Sequence, residues 1–173
     1  MPATLNYTTI KIPVNKILLV GILVGTLDIL AAFIDYYIAT GKGPAGVLNY
    51  IASGVFGKDA LAGGGDMIFF GLLFHYLIAL SFTVFFFWVC SKTGVPAKNK
   101  IGTGFIYALF IWLVMNLLVV RLSNAPHASL SAIKPLKALK AFLILAVMIG
   151  LPLSFISQKL YAENDKKETP GNL

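Results

Sequence analysis

The chain has 173 residues, of which 58% are hydrophobic and only 12% are charged. A soluble domain has about twice that charged share and could not bury so many apolar residues at this length, so the composition excludes a soluble globular protein. The net charge of +7 comes from 14 basic against 7 acidic residues. Thirteen of the basic residues are lysines, which lie in tails, loops and helix ends, as is typical of membrane topology signals. No nucleic-acid partner is expected, because no basic helix or aromatic stacking platform appears outside the apolar runs.

Four apolar runs are long enough to cross a bilayer as helices. They cover residues 17–38, 67–90, 101–120 and 138–157. Each has roughly 20 residues, which at about 1.5 Å per residue matches a hydrocarbon core of about 30 Å. The first run is too long for a signal peptide and carries two carboxylates, so we interpret it as a retained helix. The predicted fold class is an all-α membrane protein with a four-transmembrane-helix bundle.

The segment between the first two runs is too polar and glycine-rich to cross the membrane. Its apolar residues fall at helical spacing after a proline at a position that tolerates a first helical turn. They are Val47, Leu48, Ile51 and Val55, after Pro44. We predict a short interfacial helix over residues 44–56, with an irregular loop as the alternative.

The chain divides into one membrane domain and two tails. Residues 1–16 form the predicted N-terminal tail, residues 17–158 the membrane domain, and residues 159–173 a charged, flexible C-terminal tail. Four spans place both termini on one side, where eight basic residues lie against six on the other. The positive-inside rule therefore favours cytoplasmic termini.

The first span carries a seam of small and acidic residues. Gly21, Gly25, Asp28, Ala32 and Asp35 follow each other at intervals of four and three, which places them on one helix face. The two glycines form a G-x-x-x-G pair that lets a neighbouring helix approach closely. An ionisable residue inside a span costs a few kcal/mol, so each carboxylate is expected to face the bundle and a partner.

The second span offers a partner for the first. Gly71, His75 and Ala79 form an i, i+4, i+8 row, with Gly71 as a further helix-packing candidate. Asp28 lies roughly 15 Å and His75 roughly 12 Å from the ends of their spans that face the same membrane surface. The two side chains are therefore predicted to touch or to share one water molecule.

Five polar residues fall in the same half of the predicted bundle: Asp28, Asp35, His75, Asn116 and Arg121. In a structural interpretation, Asp28 pairs with His75 and Asp35 pairs with Arg121, and the pairs only set helix register. In a functional interpretation the residues line a polar pocket, where the acid and the imidazole bind a cation or carry a proton. The spacing leaves both interpretations open.

Three lysines recur at every third position where the fourth span begins: Lys134, Lys137 and Lys140. Lysines that snorkel to the interface explain this pattern, and a binding site for anionic lipid headgroups is the alternative. No catalytic, metal or cofactor motif is present. The two aspartates of the first span are roughly 10 Å apart, which argues against a protease dyad that shares a proton. No enzymatic activity and no cofactor are expected.

Three motifs resemble those of small bacterial membrane proteins. They are G-x-x-x-G-T-x-D at Gly21–Asp28, I-A-S-G-x-x-G at Ile51–Gly57, and G-x-x-x-H-x-x-I-A at Gly71–Ala79. The stretch from His75 to Asn116 is distantly similar to the YagU family of bacterial inner-membrane proteins. The resemblance implies a bacterial inner membrane, and it implies no catalytic residue because that family has no established mechanism.

The expected function is that of a binding or proton- or cation-linked transport protein that uses the Asp28 and His75 region. The alternative is a structural or accessory subunit whose polar seam only packs helices. Membrane lipids are the expected partners, and a second copy of the chain or another membrane protein stays open.

Overall fold

The computed structural model describes residues 11–93, 99–126 and 135–168, which form five helices and no strand. Helices α1, α2 and α3 cover Val14–Thr40, Ala45–Phe56 and Gly65–Thr93, with a 3-10 turn at Gly57–Ala62 between α2 and α3. Helix α4 covers Lys100–Leu122 and includes a π-helical segment, Val114–Val119. Helix α5 consists of Pro135–Leu145, a π-helical segment Ala146–Gly150, and Leu151–Glu168.

The helices α1, α3, α4 and α5 are each long and apolar enough to cross a membrane. They correspond to the four predicted spans: α1 and α3 extend theirs by two or three residues at each end, α4 differs by one or two, and α5 continues well beyond its predicted end. The predicted fold of four spanning helices with a short helix between the first two is confirmed. Many large apolar side chains face outward, such as Leu19 at 68% and Ile106 at 70% exposed, as expected of surfaces that contact lipid.

Local chemistry explains where several of these helices begin and end. The side chain of Asn99 accepts a hydrogen bond of 2.9 Å from the backbone N–H of Gly102, which caps the first turn of α4. Helix α1 ends at Gly41, whose φ of 69° lies in the left-handed region that favours glycine. Its N–H donates to the carbonyl of Tyr37 and thereby satisfies one of the last carbonyls of the helix.

A proline accounts for the π-helical segment of α5. Pro152 has no N–H to donate, and its ring would collide with the carbonyl four residues earlier in a regular α-helix. The wider segment Ala146–Gly150 lies directly before it and changes the hydrogen-bond register there. In the π-helical segment of α4, Asn116 Nδ2 donates to the carbonyl of Trp112 over 2.8 Å.

Glycines set the closest approach between helices. A Cβ at Gly21 would lie 2.7 Å from the side chain of Leu80, and one at Gly25 would lie 3.0 Å from Ala79 Cβ, so α1 packs tightly on α3 along the predicted seam. A second contact, which the sequence interpretation had not identified, joins α4 to α5. A Cβ at Gly150 would lie 2.2 Å from the carbonyl oxygen of Gly104.

The main hydrophobic core lies in the half of the bundle that contains the described ends of the chain, Lys11 and Glu168. It joins residues of α1, α3, α4 and α5 around a group of aromatic rings. Its buried members are Val20, Val24, Phe86, Phe87, Cys90, Tyr107, Ile111, Ile149, Leu153 and Tyr161. The site described below borders this core, because Ile111 and Ile149 belong to both.

The structure corrects one boundary of the predicted tails. Residues 159–173 were expected to form a flexible tail, but α5 continues to Glu168. The reason is that Tyr161, only 2% exposed, packs its ring on Phe87, and Asn164 Nδ2 donates to the carbonyl of Lys11 over 3.4 Å. These contacts hold the charged end of the helix against the bundle. Most of the predicted N-terminal tail, residues 1–10, and residues 169–173 lie outside the described part of the chain.

Candidate ligand cavity within the membrane

Asp28 and His75 line one cavity of about 300 Å³, in the half of the bundle away from the described ends of the chain. All five helices contribute to its wall, which is otherwise apolar. The lining residues are Asp28, Ile29 and Ala32 of α1, Val47 and Ile51 of α2, His75, Ile78, Ala79 and Phe82 of α3, Ile111 and Met115 of α4, and Leu145 and Ile149 of α5. Met115 and Ile149 belong to the two π-helical segments, a distortion often found at functional sites.

The imidazole of His75 is held by the backbone of α1. Its Nε2 lies 2.8 Å from the carbonyl oxygen of Gly25, and the side chain is buried. A carbonyl only accepts hydrogen bonds, so Nε2 carries the proton and donates it. In the neutral ring, Nδ1 then holds the lone pair that can accept a hydrogen bond or a proton.

A second hydrogen bond fixes the same stretch of α1 against α3. The hydroxyl of Thr26 donates to the carbonyl of Ile22 over 2.8 Å, so the hydroxyl of Tyr76, also 2.8 Å away, donates to Thr26. The rings of His75 and Tyr76 stand edge to face with centroids 5.4 Å apart. These contacts therefore hold α1 against α3 within one turn of Asp28.

Asp28 is half-buried and shares the cavity with His75. Among the described residues, no hydrogen bond joins the two side chains, and Asp28 makes no ion pair with a lysine or an arginine. The predicted direct contact or shared water molecule between Asp28 and His75 stays a prediction.

Helix α2 forms the outer wall of the cavity. It lies so close to α3 that a Cβ at Gly71 would be 2.1 Å from the carbonyl oxygen of Leu48. Gly71, predicted as a helix-packing residue, therefore contacts α2. At its other end, α2 is joined to the segment after α4, because Asn124 donates from its backbone N–H to the carbonyl of Gly54 and from Nδ2 to that of Val55, over 2.9 and 3.0 Å.

Asp35 lies near the C-terminal end of α1 and forms an ion pair with Lys140 of α5. This contact replaces the expected pairing of Asp35 with Arg121. The sequence interpretation missed it because the spacing along each helix does not say how α5 is placed beside α1. Both side chains remain partly exposed, at 39% for Asp35 and 56% for Lys140, and neither lines the cavity.

The other two members of the predicted polar cluster do not line the cavity either. Asn116 uses its amide on the carbonyl of Trp112 in its own helix, and Arg121 lies half-exposed in the last turn of α4. Both residues are predicted in the same half of the bundle as Asp28, but Arg121 lies at the end of its helix and Asn116 is not part of the cavity lining. The five-residue cluster of the sequence interpretation therefore reduces to Asp28 and His75 at this cavity.

The lysine group at the start of α5 is divided in the structure. Lys137 is exposed, Lys140 pairs with Asp35, and Lys134 lies outside the described residues. The pairing of Lys140 weakens the case for a headgroup site formed by all three.

The apolar wall residues of α2, α4 and α5 were not recognised from sequence. Val47 and Ile51 belong to the predicted apolar face of α2, so the sequence predicts that they are buried. The sequence does not predict that they line the same cavity as Asp28. The only further signal was Pro152, which indicates a distorted helix near Ile149.

A scan against protein-family models, a search of curated proteins and a search of solved structures each returned no match to this chain. The resemblance to the YagU family therefore stays a prediction.

Proposed function

We propose that this multi-pass membrane protein is a non-catalytic binding protein whose cavity couples a ligand to a proton or cation through Asp28 and His75. One observation carries the proposal: an acid and an imidazole lie together in the wall of an otherwise apolar cavity inside the membrane-spanning part. Ligand sites of this size are typically apolar with a few convergent polar groups. A carboxylate inside a span is costly, so its presence there favours a function.

The neighbouring acid of α1 supports this assignment by contrast. Asp35 lies seven residues further along the same helix, and its charge is balanced by Lys140. Asp28 has no basic side chain of lysine or arginine as a partner within the described part of the chain. Its position favours an exchangeable partner, such as a proton or a bound cation, over a permanent ion pair.

The test compares Asp28→Asn with Asp35→Asn, the same chemical change two turns away on the same helix. Each protein is reconstituted in liposomes, and the flux driven by a pH gradient is followed with a lumenal dye. An amide does not titrate near neutral pH, so Asp28→Asn should abolish flux while Asp35→Asn retains it. Thermal unfolding in detergent checks that both variants fold. Equal flux from wild type and folded Asp28→Asn would refute the role of Asp28.

The second candidate is a structural or accessory subunit, favoured by the tight packing of α1 on α3. The hydrogen bond of His75 to the Gly25 carbonyl and the close contacts of Gly21 are sufficient to explain a polar seam that only fixes helix register. For a structural subunit, Asp28→Asn should leave the unfolding temperature unchanged. Liposomes with the wild-type protein should show no more flux than empty liposomes.

We also propose the cytoplasmic membrane of a bacterium as the location, with both termini in the cytoplasm. Support comes from the eight basic residues on the side of the termini against six on the other side. In that orientation the cavity lies in the outer half of the bilayer, beneath α2.

A further inference from the structure

Two apolar hollows adjoin the cavity, the first among α2, α3 and α4 and the second between α3 and α4. Ile78 lines the cavity and both hollows, which have volumes of about 360 Å³ and 400 Å³. Met115 joins the cavity to the first hollow, and Phe82 joins it to the second. At the outer side of the hollows, Leu77 and Phe85 are exposed on the surface that faces lipid. The hollows and the cavity therefore adjoin one another, and their shared walls mark an apolar route from the bilayer towards Asp28.

Aromatic side chains, not tightly packed backbones, bridge α3 and α4 along this route. Phe110 of α4 stacks on Phe85 with ring centroids 5.4 Å apart and meets Phe82 edge to face at 6.3 Å. Where α1 meets α3 and α4 meets α5, by contrast, glycines bring the helices into close contact. Rings can turn aside by side-chain rotation, whereas a glycine-packed contact opens only if the helices separate. The α3–α4 side is the easier entrance.

The electrostatics of the cavity select one kind of ligand. Asp28 is the acidic residue of the described lining, and no lysine or arginine belongs to that lining. His75 already donates Nε2–H to the Gly25 carbonyl. In a low-dielectric wall a carboxylate attracts a cation strongly and repels an anion. A metal ion would require several oxygen ligands, whereas this wall offers one carboxylate among aliphatic and aromatic side chains.

We propose that the cavity takes a small amphipathic organic cation, an ammonium group on an apolar tail or ring, which enters from the lipid between α3 and α4. This inference rests on the proposed function and names the ligand class of the same site. A volume of about 300 Å³ holds on the order of ten non-hydrogen atoms, since one water molecule occupies about 30 Å³ in the liquid. The ammonium contacts Asp28, and the apolar part contacts the side chains of α2 and α4.

The experiment compares three ligands that share one tail and differ only in charge: octylammonium, octanol and octanoate. Radiolabelled samples are equilibrated by dialysis with lipid nanodiscs that contain the full chain, and empty nanodiscs supply the lipid background. Octylammonium should bind tighter than octanol by about tenfold to hundredfold, the range expected for a hydrogen bond to a charged group. Octanoate should not bind above the background. Asp28→Asn should lower octylammonium affinity to that of octanol, and Asp35→Asn should not.

Three outcomes with the wild-type protein would contradict the proposed ligand class. Equal binding of all three ligands, preference for octanoate, or no binding above empty nanodiscs would overturn it. These comparisons use wild-type protein, so they decide even if Asp28→Asn fails to fold. The proposed function is tested by a different measurement, the liposome flux and its dependence on Asp28, which uses no octyl ligand. The ligand class can therefore be wrong while the proposed function holds, and the two experiments tell these cases apart.

A separate experiment tests the entrance by placing a large side chain in the second hollow. Ser81 lines the second hollow and does not line the cavity. Ser81→Trp should slow octylammonium association severalfold in stopped-flow measurements and leave its equilibrium affinity nearly unchanged. Ser91→Trp, two to three turns further along α3 and away from the hollow, serves as the control. An unchanged association rate in Ser81→Trp would overturn entry through the second hollow.

Discussion

The contact of α2 with α3 gives the sharpest stability prediction, for the substitution Gly71→Ala. The added methyl carbon would lie 2.1 Å from the carbonyl oxygen of Leu48 and 2.7 Å from its carbonyl carbon. An ordinary carbon–oxygen contact is about 3.3 Å, so α2 must move away from α3 by roughly 1.2 Å. The obstacle is backbone, which cannot turn aside as a side chain could.

The expected loss in the free energy of unfolding follows from two opposing effects. Overpacking a close contact typically costs about 1–3 kcal/mol. Alanine recovers up to about 1 kcal/mol because it favours the helix more than glycine does. We therefore expect a net loss of about 1–2 kcal/mol. Because Val47 and Ile51 of α2 form part of the cavity wall, ligand binding should weaken as well.

The assay is equilibrium unfolding in mixed detergent micelles, with helix content followed by circular dichroism. The matched control is Gly65→Ala in the same helix, since a Cβ there would meet nothing within 4 Å. That control should be neutral or slightly stabilising. If Gly71→Ala unfolds at the same detergent composition as wild type, α2 is not seated against α3 as described.

The ion pair of Asp35 with Lys140 should contribute only about 0.2–1 kcal/mol, because both side chains are partly exposed and screened. The exchange variant Asp35→Lys with Lys140→Asp should recover most of the stability lost by either single change, and a double-mutant cycle with no coupling would contradict the pairing. Tyr161→Ala should lower the free energy of unfolding by about 3 kcal/mol, since it removes a buried aromatic ring from the core. Lys159 is exposed on the same helix, so Lys159→Ala should change the free energy of unfolding little. Equal losses in Tyr161→Ala and Lys159→Ala would contradict the packing of the end of α5 against the bundle. A cysteine at Thr4 should resist a membrane-impermeant maleimide in intact cells, and labelling from outside would reverse the proposed topology.

Local features of the sequence were sufficient to predict the architecture. The number of spans follows from the length of each apolar run, and the helix between the first two from periodicity and its flanking glycines. The contact face of α1 follows in the same way, because the spacing of Gly21, Gly25 and Asp28 places them on one side of a helix. That Asp28 and His75 lie in the same region follows from counting residues along two antiparallel helices.

Only the tertiary structure decided which residues of different helices meet. The partner of Asp35 is on α5, and the partner of Gly71 is on α2; both depend on how each helix is rotated and where it lies around the bundle. Sequence spacing determines depth and face within one helix, but the neighbours of that face are set by packing over the whole bundle. Tertiary packing also explains why the charged end of α5 is helical. Tyr161 is buried against Phe87, and this contact outweighs a local composition that favours disorder.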